Sequence, residues 1–285
     1  MSALNEAAML IQLNVSQWTA KRLDQSATND VLAKNQAVVG SGRFNKDLLP
    51  NNKELKAVHK QTTAIRQAFY ENTLPWAMSN TQMLASKNYM HFTQVFNGMK
   101  QDWKMLVNRF LLDYTSAIGR ARSDLGTMFD ANAYPSTDEV SRKFSCQFTV
   151  MPVPTDDFRV AIADAELEKL RGQVKTQVSD ALRDANKELY QRLYDRVKHM
   201  AERLGNPDAT FRESMVTNLQ DMVDAIPRLN FSDDAELNNL RGMVQSQLLS
   251  IKNPDTLRHD TNVRTVVANS AAEITRKMAS LMGQA

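Results

Sequence analysis

The sequence predicts a mainly α fold with a small antiparallel β element, and three observations carry that prediction. Only nine Gly and eight Pro are spread over 285 residues, too few for an all-β chain that turns every ten residues or so. Two proline-free stretches repeat apolar residues at steps of three and four over about forty residues each. Two shorter stretches, 9–16 and 143–150, alternate apolar with polar residues at the period of a half-buried strand. Hydrophobic residues make up 42% and charged residues 24%, the balance of a chain that can bury a real core.

Met9, Ile11, Leu13 and Val15 share one face of the first stretch and Gln12, Asn14 and Ser16 the other, so a strand is expected over 9–16. A short helix follows. The tract Val39-Gly40-Ser41-Gly42-Arg43-Phe44 is then expected to form a loop with access to positive φ. A helix resumes after Pro50, runs to about Glu71, and stops before Pro75.

The first long helix is expected from Asn80, with Ser79 or Asn80 as its cap, to about Asp130. Phe92, Trp103, Tyr114 and Leu125 recur every eleven residues along it, a period of about 3.67 per turn that gives a nearly straight stripe. After a loop at Pro135, Phe144, Cys146, Phe148 and Val150 alternate with polar residues, and Phe158, Val160 and Ile162 do so again. Strands near 143–150 and 158–163 would join 9–16 in a three-stranded antiparallel sheet.

The second long helix is expected from Asp164 to Leu204, closed by Gly205-Asn206-Pro207. Leu167, Val178, Leu189 and Met200 repeat the spacing of eleven. Equal length and equal period suggest an antiparallel, coiled-coil-like hairpin in which the two stripes bury each other, roughly 60 Å long. The expected organisation is an elongated hairpin with a β head over 1–204 and a C-terminal helical region over 205–285, divided by Pro227 and Pro254.

Net charge is only +3, and segment sums run from +3 over 1–80 to −4 over 205–250, so any polyanion surface must be local. One cysteine, Cys146, allows neither an internal disulfide nor a thiolate cluster, which fits a reducing compartment. The first eighteen residues carry Glu6 and lack a basic region, and no window approaches eighteen apolar residues, so neither a signal peptide nor a membrane span is expected. The expected address is the cytoplasm.

His59, His91, His199 and His259 stand in separate elements without ligand spacing, and Cys146 has the place of a core residue, so neither a metal site nor a thiol nucleophile is expected. No cofactor motif occurs, and no acid, base and nucleophile set is visible, so the chain reads as a non-enzyme. Asp102, Asp113 and Asp124 also repeat every eleven residues but stand near Arg109, Arg120 and Arg122, as on a solvated face. Two candidate contact sites remain. Gly40, Gly42, Arg43 and Lys46 form a loop that a phosphate or protein partner can approach, although the tract lacks the ending of a P-loop. Lys100, Lys104, Arg109 and Arg120 on one long helix, with Lys187, Arg192 and Arg196 beside Tyr190 and Tyr194 on the other, would suit nucleic acid, although the second helix also carries carboxylates at pairing distance.

Leu10, Leu13 and Val15 followed by Trp18, Lys21, Arg22 and Leu23, then Gly40-Ser41-Gly42-Arg43, then Phe144, Cys146 and Phe148 after a long helix, carry a resemblance. In this order the chain resembles an uncharacterised helical protein family of bacteria and phages, departing from it at Thr19-Ala20, where a Ser-Gly pair is more usual. The resemblance covers about half the chain. It implies a phage or bacterial cytoplasmic protein encoded near a MoxR-type AAA ATPase and a cobaltochelatase-like partner, and it brings no catalytic residue with it. The expectation is therefore an adaptor or scaffold, with a homo-oligomer compatible; the alternative is a nucleic-acid-binding protein of phage replication or recombination.

Overall fold

The computed structural model describes residues 6–155, 163–206, 209, 212–250 and 254–283. It is mainly helical with small antiparallel strand pairs. The elements in chain order are β1 (Ala8–Ser16), β2 (Lys21–Leu23), α1 (Gln25–Lys34), β3 (Asn45–Asp47), α2 (Lys53–Glu71), β4 (Leu74–Pro75), β5 (Gln82–Ala85), α3 (Tyr89–Leu125), α4 (Thr137–Ser141) and β6 (Ser145–Met151). After these come α5 (Asp164–Gly205), α6 (Glu213–Leu229), α7 (Ala235–Gln247), α8 (Pro254–His259) and α9 (Thr261–Leu281). The larger sheet has the order β4-β5-β1-β6, and β2 pairs with β3 separately. No described helix is long and apolar enough to cross a membrane.

The chain forms two compact units, one of residues 1–12, 69–93 and 149–285, the other of residues 13–68 and 94–148. In the first, β1 runs antiparallel to β5 with Ala8 opposite Ala85 and Leu10 opposite Met83, and β5 in turn pairs with β4. Ala8, Leu10, Leu74 and Met83 join one core with Val178, Leu189, Leu193 and Met200 of α5, Leu219 and Ile226 of α6, Leu240 of α7, and Ala271, Ile274 and Met278 of α9. The eleven-residue stripe of α5 is thus covered by α9, α6 and β4. Arg264 of α9 closes the C-terminal end of α5 by donating to the carbonyls of Leu204 at 3.0 Å, Arg203 at 3.0 Å and Asn206 at 2.6 Å. These are carbonyls a helix end leaves without partners.

The second unit is built on an antiparallel pair of α2 and α3. Asn52 Nδ2 donates to Asp113 Oδ2, Glu54 holds Arg109, and the Trp103 indole donates to Thr62 Oγ1 at 2.9 Å, so ascending positions on α2 meet descending positions on α3. The α3 stripe is an aromatic seam. Trp103 and Phe110 meet Phe144 edge-on at 6.2 and 5.8 Å, Tyr114 meets Trp18 at 5.6 Å, and Phe96 meets Phe148 at 4.8 Å. Burial pushes the Tyr114 hydroxyl up to about 12, consistent with a phenol that stays protonated and donates to the Pro135 carbonyl at 2.8 Å.

Four expectations are corrected. The two long helices do not form the hairpin in which their stripes cover each other: α3 pairs with α2, while α5 packs in the core of α6 and α9. Periodicity fixes which face is apolar and says nothing of what covers it. The boundary between 1–204 and 205–285 does not separate two cores, since α5 and the helices after it share one. The sheet contains β4 and β5, too short for the alternation to register, and Asn80 does not cap a helix but takes φ +64° at the turn before β5. Strands 9–16 and 143–150 stand as β1 and β6 within a residue or two; the strand expected at 158–163 falls almost wholly on residues 156–162, outside the described residues.

Candidate functional site

The loop between α1 and β3 carries two strongly exposed apolar side chains, Val38 and Val39. Asp24 caps α1 by accepting from the Ala27 N–H at 3.0 Å, and α1 ends where Gln36 turns to φ +51°. The loop that follows is pinned at both ends: the Ala37 amide donates to the Leu32 carbonyl, the Phe44 amide to Thr28 Oγ1, and the Asp24 amide to the Phe44 carbonyl, each at 2.9 Å. Between the pins, Val38 and Val39 are 79% and 87% exposed, with Arg43 and Phe44 also at the surface.

Gly40 sits at φ +97°, where a side chain is strained, so the expectation of positive φ holds there. Gly42 has ordinary φ, and a Cβ on it would make an ordinary contact with Leu32 at 3.6 Å. The Ser41 and Phe44 amides are already spent on the Val38 carbonyl and Thr28 Oγ1, which weakens the loop as a phosphate cradle. Lys46 does not project from the loop. It is buried, 3.0 Å from Asp24 Oδ2, and donates to the Met128 carbonyl at 2.7 Å. The Ala27 N–H, then Lys46, hold the Asp24 carboxyl below its usual range. Lys46 is thus a structural cation, because strand alternation turns it inward between exposed Asn45 and Asp47.

The basic residues divide between the units. On α3, Arg109 is held by Glu54 and Arg120 by Asp113. Both pairs line a half-open cleft of about 460 Å³ at the start of α2, with Asn51, Asn52, Lys53 and Asp124. Its opposite charges alternate, so it presents no net pull on a polyanion. Lys104 is exposed, Lys100 lies 5.9 Å above the Phe96 ring, and both, with Arg66, are near enough to Cys146 to favour its thiolate. Burial outweighs them and pushes the thiol up, which leaves Cys146 as a core thiol. On α5, Arg192 is half-buried, with Glu188 at 2.9 Å and the Thr73 carbonyl at 2.9 Å, and Arg196 donates to the Arg192 carbonyl at 3.2 Å. Lys187 is exposed. Among the described residues, no three His, Cys, Asp or Glu side chains gather where they could hold a metal.

The chain matches no family model, no curated protein and no solved structure. Sequence reasoning found the loop through its glycines but gave weight to Gly42 and Lys46 rather than to Val38 and Val39. Two adjacent valines beside a glycine pair, with no alternation continuing past them, were the available signal.

Proposed function

We propose that this chain is a non-catalytic interaction protein, an adaptor or scaffold, that docks a protein partner through the loop of residues 38–44. The observation that supports the reading is the presentation of Val38 and Val39 almost fully in solvent on a loop whose base is held by three hydrogen bonds. A braced loop loses little entropy on binding, and covering each valine is worth about 1.5–3 kcal/mol. Arg43 supplies a charge at the edge of the same surface. The partner implied by the resemblance is a MoxR-type AAA ATPase. Val39→Asp and Arg43→Ala should each leave Tm unchanged and reduce co-purification of that ATPase from native lysate at least tenfold. Undiminished capture by both variants refutes the loop as the docking element.

Nucleic-acid binding is a second reading, favoured by one observation, the convergence of Arg66, Lys100 and Lys104 near Cys146. Under it, fluorescence anisotropy at low salt shows DNA binding that weakens with salt and with Lys100→Ala or Lys104→Ala. Absence of any signal at tens of micromolar protein removes it.

A further inference from the structure

The face of α3 opposite its aromatic seam carries a second stripe, of period seven. Gly98, Met105, Leu112 and Gly119 each stand two positions after a buried residue, Phe96, Trp103, Phe110 and Ala117. Two helical positions turn about 200°, which places the four on the outer face. Met105 is 56% exposed and Leu112 86%, and both glycines lie at the surface. A Cβ added at Gly98 or Gly119 would meet nothing within 4 Å. Nothing within the chain therefore asks for glycine at these positions, where it is a poor helix former. Glycine at both ends of an exposed apolar pair is what a second helix needs in order to approach closely.

The order of the stripe says which helix. Gly-Met-Leu-Gly at equal spacing reads nearly the same in both directions about a point between Asn108 and Arg109. A two-fold contact requires that residue i meets j while j meets i. Antiparallel pairing of two copies satisfies this: Met105 meets Leu112 of the second copy, and Gly98 meets Gly119. On one flank Gln101 faces Thr115, and Asn108 faces its own copy, all uncharged. On the other flank Asp102 faces Ser116 and Arg109 approaches its own copy, each Arg109 already neutralised by Glu54. We propose that this outer face of α3 is a self-association surface, occupied by α3 of a second copy of the chain in antiparallel, two-fold arrangement. The surface is distinct from the 38–44 loop, and the inference does not depend on the function proposed above.

Two apolar side chains per copy make a small interface, so the dimer is expected to be weak and concentration-dependent. Sedimentation of the full chain from about 5 to about 500 µM should show monomer passing to dimer. Leu112→Asp, at an exposed position, should leave the circular dichroism and Tm unchanged and weaken dimerisation at least tenfold. Gly98→Ala with Gly119→Ala should raise Tm while weakening dimerisation, opposite signs that a merely structural role would not give. Orientation is read by a short bis-maleimide. Asn108→Cys, beside the two-fold axis, should cross-link to itself, whereas Gln101→Cys should not, because antiparallel copies of residue 101 lie about 22 Å apart along the axis. The wild type, with its single buried Cys146, serves as the labelling control. A chain that stays monomeric throughout, a dimer indifferent to Leu112→Asp, or a Gln101→Cys variant that cross-links as readily as Asn108→Cys overturns the proposal.

Discussion

Replacing Trp103 tests the pairing of α2 with α3 most directly. The side chain is 3% exposed, its indole donates to Thr62 Oγ1 at 2.9 Å, and its ring meets Phe144 edge-on at 6.2 Å. Truncation to Ala removes a large buried ring and leaves a cavity, which costs about 3–5 kcal/mol. The upper half of that range is expected because the hydrogen bond, about 1 kcal/mol, and the edge-on contact go with the ring. Thr62 keeps its donation to the Val58 carbonyl at 3.0 Å, so its hydroxyl hydrogen is not orphaned. Trp103→Phe keeps an aromatic ring and should cost about 1–2 kcal/mol, chiefly through the hydrogen bond and lost volume. Thr62→Val in the Trp103→Phe background should then cost less than Thr62→Val alone, by a coupling of about 0.5–1.5 kcal/mol. Urea unfolding followed by far-ultraviolet circular dichroism reads the losses, and hydrogen exchange of the α2 and α3 amides locates them. A loss below about 0.5 kcal/mol for Trp103→Ala at unchanged slope would refute the seam, and zero coupling would refute the Trp103–Thr62 bond.

Two further outcomes follow from the other unit. Arg264→Ala uncaps the end of α5 and should cost about 1–3 kcal/mol in urea unfolding, with Arg264→Lys recovering only part, because one ammonium does not reproduce the fork that reaches three carbonyls; full recovery by Lys would refute the geometry. Burial, and then Arg228, hold the His91 imidazole below its ordinary value of 6.5. The unfolded chain therefore takes up the proton first, and stability present above about pH 6.5 is lost as pH falls from there toward the depressed folded value. His91→Gln should flatten the Tm profile over that window, and an unchanged slope would refute the shift.

The eleven-residue spacings of Phe92, Trp103 and Tyr114, and of Val178, Leu189 and Met200, are properties of the chain alone, and all six residues are buried. Backbone periods of 3.6 and 2 are local, so helix existence, strand β1 and the inward faces of α3 and α5 were legible in the sequence. So was the stop at Gly205, since termination depends on the residues at the end itself. The partner of each apolar face was not legible. A stripe of Leu and Val is satisfied by any matching surface, and only the tertiary arrangement gave α5 to α9 and α6 while it gave α3 to α2. The same reason explains the cations. Lys46 and Arg109 look alike along the chain, but Asp24 and Glu54, which hold them, are brought there by strand pairing and helix packing. Charge along a sequence is additive; whether Lys46 and Arg109 face solvent or a carboxylate is decided by contacts between residues far apart in the chain.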